Sequence, residues 1–201
     1  VRITDNAGIT RNAPLFSVSP EQVNYQIPAD AASGLAVVYV TSAASVASVA
    51  SVASVASVAS VASVASVDGR VSTGAIQILA AAPALFTFSQ NGQGPAVALD
   101  AFTFTLPPLN ATRPNGQPNI IVFFASGLGA DATDIDGNVA ANVQATIDGA
   151  PVVAQYAGRA PGFTGLNQLN LVLPVGISSG AHNVQIARNG VASNVVTIAI
   201  R

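Results

Sequence analysis

The stretch "VQATIDGAPVVAQY", Val143–Tyr156, decides the fold class. Apolar and polar residues alternate through its first run, a second short apolar run follows, and Asp148-Gly149 sits between them. An Asp-Gly pair tolerates the positive φ that both central residues of a type I′ turn require, and that turn matches the twist of paired strands. The stretch reads as a β-hairpin. Asn189-Gly190 repeats the signal between "AHNVQIAR" and "VASNVVTI". Elsewhere "GLAVVYVTS" (Gly34–Ser42), "GAIQILA" (Gly74–Ala80), "NIIVFFASG" (Asn119–Gly127) and "NVVTIAI" (Asn194–Ile200) are short, rich in β-branched residues and bounded by Gly, Pro, Asn or Asp. These are strand signals, and no segment has helical periodicity. The expected fold is all-β, built as sandwiches.

Self-comparison then divides the chain. "EQVNYQIPADAASG" (Glu21–Gly34) and "NQLNLVLPVGISSG" (Asn167–Gly180) share Gln22/Gln168, Asn24/Asn170, Pro28/Pro174 and Gly34/Gly180 at an offset of 146, with Phe16 and Phe163 placed similarly before them. Downstream, "VSTGAIQI" (Val71–Ile78) matches "VASNVVTI" (Val191–Ile198) at an offset of 120, so the first copy carries some 26 extra residues where the second has the turn "ARNG". The insertion is explained by eight consecutive copies of Ala-Ser-Val, Ala44–Val67. The expected organisation is two tandem Ig-like β-sandwiches. The first spans 1–82, with 44–67 as a low-complexity hairpin arm, and the second spans 83–201.

The N-terminal "VRITDNAGITRNAPLF" aligns with the segment that begins at Val143, so nothing in the first copy matches the strands near Ala96–Thr105 and Asn119–Gly127. About five strands remain where an Ig-like sandwich uses about seven. An open edge is expected there, to be filled by a strand from upstream sequence or from a neighbouring molecule. The chain contains no Met, position 1 included, which reads as a processed or partial product.

A period of three in the arm conflicts with the two-residue alternation of a strand, so Val, Ser and Ala fall equally on both faces. Such a strand suits burial between sheets. A polyproline-type helix would align the valines along one edge, and an α-helix is the third choice because Val and Ser are mediocre helix formers. In none of these does the tract form a core alone. Its expected partners are copies of itself in adjacent subunits.

Composition restricts function. Half the residues are hydrophobic and 8% are charged, against about 25% in ordinary soluble domains, which favours self-association. Seven scattered Arg, no Lys and a net charge of -2 give no basic stripe for nucleic acid or anionic lipid. Without Cys there is no disulfide, thiol nucleophile or cysteine metal site, and without Lys no lysine-to-asparagine crosslink. The longest apolar runs fall short of the roughly 18 residues of a membrane helix, so no membrane insertion is expected.

"APLFSVSPEQVNYQIPADAASG", "AAPALFTFSQNGQGPA", "VFFASGLGA" and the closing "GVASNVVTIAIR" resemble the paired Ig-like module, similar in style to TIG/IPT domains, at the C-terminus of many secreted acidobacterial proteins. The resemblance covers nearly all of the chain outside the triplet tract. It implies a non-catalytic module that is extracellular or on the cell surface; the tract departs from it.

The expectation is no enzyme, no cofactor, and self as the partner in a homo-oligomer or filament. The single His182 lies in "GAHNVQI" without a G-x-S-x-G elbow or an adjacent acid, and reads as a half-buried strand residue. "DATDIDGN" offers the one candidate cation site: Asp131, Asp134, Asp136 and Asn138 echo the oxygen spacing of a calcium loop. The bidentate Glu such a loop requires is missing, since position 143 is Val, and a solvated loop is the preferred reading. Asn110-Ala111-Thr112 is a formal glycosylation sequon. The functional expectation is a self-assembling filament or surface-layer subunit; the alternative is a monomeric adhesive or carbohydrate-binding module.

Overall fold

The computed structural model describes residues 1–20, 22–41, 71–129, 137–163 and 165–201. The Ala44–Val67 arm and residues 131, 134 and 136 of the calcium candidate lie outside them. The described residues are nearly all β, with no α-helix; a single turn of 3-10 helix spans Ala140–Asn142. The chain divides into two compact units, Val1–Ala80 and Ala81–Arg201.

The second unit has two antiparallel sheets. Strands β10 (Val143–Ile147), β11 (Ala150–Val152), β14 (Gly180–Arg188), β15 (Val191–Ala192) and β16 (Val196–Ile200) form one. The other contains β7 (Ala84–Leu85), β8 (Ala98–Asp100), β9 (Ile120–Ser126), β12 (Ala154–Arg159) and β13 (Asn167–Val172). Alternation aims Ala145, Ile147, Val184, Ile186 and Ile198 of the first sheet, and Ile121, Phe123, Leu169 and Leu171 of the second, into one buried cluster. Each of these side chains other than Ala145 contributes about 1.5–3 kcal/mol by leaving water. Both hairpin turns form as their sequences require: Asp148, Gly149, Asn189 and Gly190 all have positive φ, at 50°, 79°, 51° and 77°.

The first unit contains β1 (Arg2–Thr4), β2 (Thr10–Asn12), β3 (Leu15–Val18), β4 (Val23–Tyr25), β5 (Gly34–Thr41) and β6 (Val71–Ile78). One sheet has the order β2-β1-β5-β6, and β3 pairs with β4 as a second. Their shared core holds Ile3, Val23, Tyr25, Val38, Ile76 and Ile78. Asp5, in the β1–β2 turn, accepts hydrogen bonds from the amides of Ala7, Ile9 and Ala32 and pairs with Arg11, which also reaches Asp30. The Ala32 amide is the main influence holding the Asp5 carboxyl down at about 2.

Registers show that the first unit repeats the second from β10 onward. Ile3 faces Val38 as Ile147 faces Val184. A bulge falls between Leu15 and Ser17 of β3, and another between Ala154 and Tyr156 of β12. Gly34 and Gly180 begin their strands at φ 127° and 132°, a region that side-chain-bearing residues rarely adopt. Ile78 faces Gly34 and Ile200 faces Gly180, so the counterpart of Ile78 is Ile200, two residues beyond the Ile198 of the sequence alignment. Part of that shift is an irregularity in the second unit, where the Ser193 hydroxyl accepts the amide of Ile186 between β15 and β16. Phe16 and Phe163 are not counterparts: Phe16 lies in the β3 bulge, whereas Phe163 follows β12.

Candidate functional site

The arrangement of the first unit draws attention to one side of it. In the second unit β13 is flanked by β12 and by β9. Its counterpart β4 pairs with β3 alone among the described residues. The same holds at the other sheet. The outward backbone of β16 is bonded by Ala96, Gly94 and Leu109, with Thr197 and Ala199 as the partners at 2.8–2.9 Å. By register, Ala75 and Gln77 of β6 occupy the places of Thr197 and Ala199, and no segment among the described residues bridges to them. Residues 83–128 close this side of the second unit, and no described segment of the first unit takes their place.

Side-chain exposure tells the same story. Val18 of β3 stands where Ala157 stands in β12, as the matched bulges show. Ala157 is 0% exposed, covered by the segment whose Asn138 and Val139 bond its amide and carbonyl. Val18 is 65% exposed. Leu15 on the same strand is also exposed. A valine left in water forgoes about 1.5–3 kcal/mol that burial would return. Among the described residues, then, β4 has β3 as its one ladder partner, and β3 carries exposed apolar side chains beside it.

The described residues that flank the arm belong to the other sheet of the first unit. Thr41 and Val71, the last and first described residues on either side of it, face each other at the end of the β5–β6 ladder. Residues 42–70, 29 in number, separate that pair, against four, 188–191, between the paired Ala187 and Ala192 of the second unit. The difference of 25 is close to the 24 residues of the triplet tract.

His182 is buried, and the acid missing from its sequence neighbourhood comes from across the sheet. Its Nδ1 lies 2.6 Å from Oδ2 of Asp148 and its Nε2 2.9 Å from the carbonyl oxygen of Ser178. Both partners are pure acceptors, so the ring that satisfies them donates from both nitrogens as imidazolium. The hydrogen bond to Asp148 is the main cause raising the His182 pKa above 6.5, opposed by burial and helped by Ser178. The Asp148 carboxyl is lowered, first by His182 and then by the Asn183 amide. With both nitrogens donating, neither can take a proton from a nucleophile. The contact has a pH signature. A pKa raised on folding stabilises fully below the unfolded value of about 6.5 and loses its contribution as pH climbs through the folded value. Thermal melts of the second unit from pH 6 to 9 should show a falling midpoint in the native chain, and Asp148→Asn should flatten that slope. An unchanged slope would show that the pair is not the titrating element.

Of the cation candidate, Asn138 alone is described. Its Oδ1 already accepts the amides of Ala140 and Ala157 at 3.0 and 3.1 Å, so the group pins the loop to β12. Among the described residues no cluster of three His, Asp or Glu could hold a metal. At the sequon, Asn110 is exposed, and its side-chain oxygen accepts from Arg201. Sequence reasoning passed over Val18 and Leu15. Their signal was present: two large apolar residues alternate where the second copy has Ala154 and Ala157.

A second apolar feature belongs to the other unit. Asp100 folds "AFTFTL" back on itself, its Oδ1 accepting the amides of Phe102 and Thr103. Phe102, Phe104 and Leu106 project into solvent, with the Arg113 guanidinium 4.9 Å above the Phe102 ring. Neither a protein-family model nor a curated protein matches the chain. The class rests on the fold: an all-β protein of antiparallel, sandwich-like sheets.

Proposed function

We propose that the protein is a non-catalytic, extracellular structural subunit that self-assembles into a filament or surface layer. In this reading two Ig-like sandwiches stand in tandem, the first completed by a strand from a neighbouring molecule, and the Ala44–Val67 arm packs between subunits. The observation that carries it is the exposed Val18 in the place of the buried Ala157, on a unit whose β4 and β6 have no second ladder partner among the described residues. A head-to-tail contact between different surfaces propagates unless its rotation closes, which is how filaments arise. The low charge of the chain fits burial of surface in an assembly. The extracellular placement follows the resemblance to secreted modules.

The test compares the full chain with a variant in which Ala44–Val67 is replaced by an Asn-Gly turn. Sedimentation and electron microscopy should show assemblies for the full chain and a loss of mass for the variant, with β-sheet circular dichroism retained in both. A full chain that stays monomeric overturns the reading. A shortened chain that assembles equally well makes the arm a passenger.

The second reading, an adhesive or ligand-binding module, is favoured by the projecting Phe102, Phe104 and Leu106. Surface aromatics on a rigid turn are a common means of apolar capture. It requires a monomer whose ligand affinity falls on Phe104→Ser with assembly unaffected.

A further inference from the structure

We infer that Asn189 is a site of spontaneous modification: the main-chain nitrogen of Gly190 attacks its side-chain amide, and the β14–β15 turn converts slowly in water to aspartate and isoaspartate. The inference is independent of the assembly reading. The chemistry favours an asparagine followed by glycine, because a residue without Cβ lets its own nitrogen come close to the preceding side chain. The sequence has three such pairs, Asn91-Gly92, Asn115-Gly116 and Asn189-Gly190. The fold treats them differently. Oδ1 of Asn91 accepts from the Ser89 hydroxyl and the Gln93 amide, and the Gly92 amide is held by Oγ1 of Thr87. Oδ1 of Asn115 accepts from the Gln117 amide, and the Gly116 amide donates to the Arg113 carbonyl at 2.9 Å. Asn189 and Gly190 are both exposed, and no hydrogen bond to a described residue holds the Asn189 side chain or the Gly190 amide. Electrophile and nucleophile are thus free together at this pair alone among the three.

The other hairpin turn of the same sheet isolates the side chain as the cause. Asp148-Gly149 has nearly the same backbone, with φ of 50° and 79° against 51° and 77°. Its carboxylate is fixed between His182 and the Asn183 amide, and an ionised carboxylate resists attack by an amide nitrogen. Asn189 presents a neutral amide without such a tether. A Cβ added at Gly190 would meet nothing within 4 Å, so the turn has room to move. What holds it is the two-residue β15, with Ala187 facing Ala192 and Arg188 facing Val191. Short ladders at the end of a hairpin open at small free-energy cost. Opening lets Asn189 rotate about its Cα–C bond until the Gly190 nitrogen reaches Cγ. That nitrogen loses its proton and bonds Cγ, the Cγ–Nδ2 bond breaks, and ammonia leaves with the proton. Water then opens the cyclic imide, giving aspartate by attack at Cγ and isoaspartate by attack at the main-chain carbonyl. One water is consumed for each ammonia released. Either product adds a negative charge to a chain of net charge -2. Isoaspartate also lengthens the main chain by one carbon, which the tight geometry of a two-residue turn does not accommodate.

The test ages the full chain at mildly alkaline pH and follows each Asn-Gly pair by peptide mapping and mass spectrometry. Isoaspartate is scored separately, by labelled methyl transfer with an isoaspartate-specific carboxyl methyltransferase. Asn189 should convert at least tenfold faster than Asn91 or Asn115 in the folded chain, with Asp148 unchanged. In denaturant the contacts that distinguish the three pairs are gone, and their rates should converge. Asn189→Gly keeps a residue suited to positive φ, so the turn should survive while most of the methyl incorporation disappears. Amide exchange on the aged chain should show protection lost at β15 and kept at β16, whose pairing with β14 lies at Gly180–Val184. Conversion of Asn91 or Asn115 as fast as Asn189 overturns the inference. So does an Asn189 that stays intact in the folded chain and converts only in denaturant, because the hairpin would then protect it. The same tenfold preference in denaturant also overturns it, since the local sequence rather than the fold would be choosing the site.

Discussion

Phe123→Ala should lower the unfolding midpoint of the second unit by about 10–20 °C, from a core truncation of about 3–5 kcal/mol. The ring is 0% exposed on β9, between Leu169 on one neighbouring strand and Ala98 on the other. β9 joins β13 to β7 and β8, so a cavity at its centre loosens the whole sheet. Calorimetry gives the size of the effect and amide exchange its location: β13 and β9 should lose protection while β5 keeps its own. A loss below about 1 kcal/mol would mean that the site collapses without penalty, which close packing between two sheets does not allow.

Much of this fold was legible because its punctuation is chemically forced. Asp148-Gly149 and Asn189-Gly190 could hardly be anything but tight hairpin turns, and Gly34 and Gly180 mark strand starts at a φ that other residues resist. The repeat could be read from identities such as Asn24/Asn170. What could not be read depends on contacts distant in sequence. The two-residue slip between Ile198 and Ile200 involves a side chain, Ser193, substituting for ladder geometry, and identity matching does not see hydrogen bonds. His182 has no acid within reach along the chain, and the hairpin turn brings Asp148 to it across 34 residues. Asp5 looks like an ordinary turn residue, yet it gathers Ala32 from 27 residues away. Val18 reads as one more apolar strand position. Its exposure follows from the cover that its counterpart has and it lacks, a property of the fold rather than of the residue.

Gly127→Ala should be the most damaging glycine substitution in the second unit, and Gly149→Ala supplies its control. The two glycines have nearly the same backbone, φ 76° and 79°. A side chain in the left-handed region costs roughly 1–2 kcal/mol, and at Gly149 that is the whole expected effect, since an added Cβ would meet nothing within 4 Å. At Gly127 the added Cβ would stand 2.0 Å from the carbonyl oxygen of Ala82. Backbone must move, and the piece nearest is the one that Gly127 itself secures, because the Ala82 amide donates to the Gly127 carbonyl at 2.7 Å. Displacing Ala82 pulls on β7, whose Ala84 and Leu85 pair with Ser126 and Ala125 of β9. The loss at Gly127 should therefore exceed that at Gly149 severalfold, with amide protection failing first at Ala82 and Leu85 and β14 unaffected until global unfolding. Equal losses for the two variants would show that the φ penalty alone matters and that the approach of Ala82 to Gly127 is soft. Unequal losses in the expected direction would establish that β7 is clamped to β9 at this glycine. The second unit would then own, in a single close backbone contact, a closure that no described residue supplies on the same side of the first.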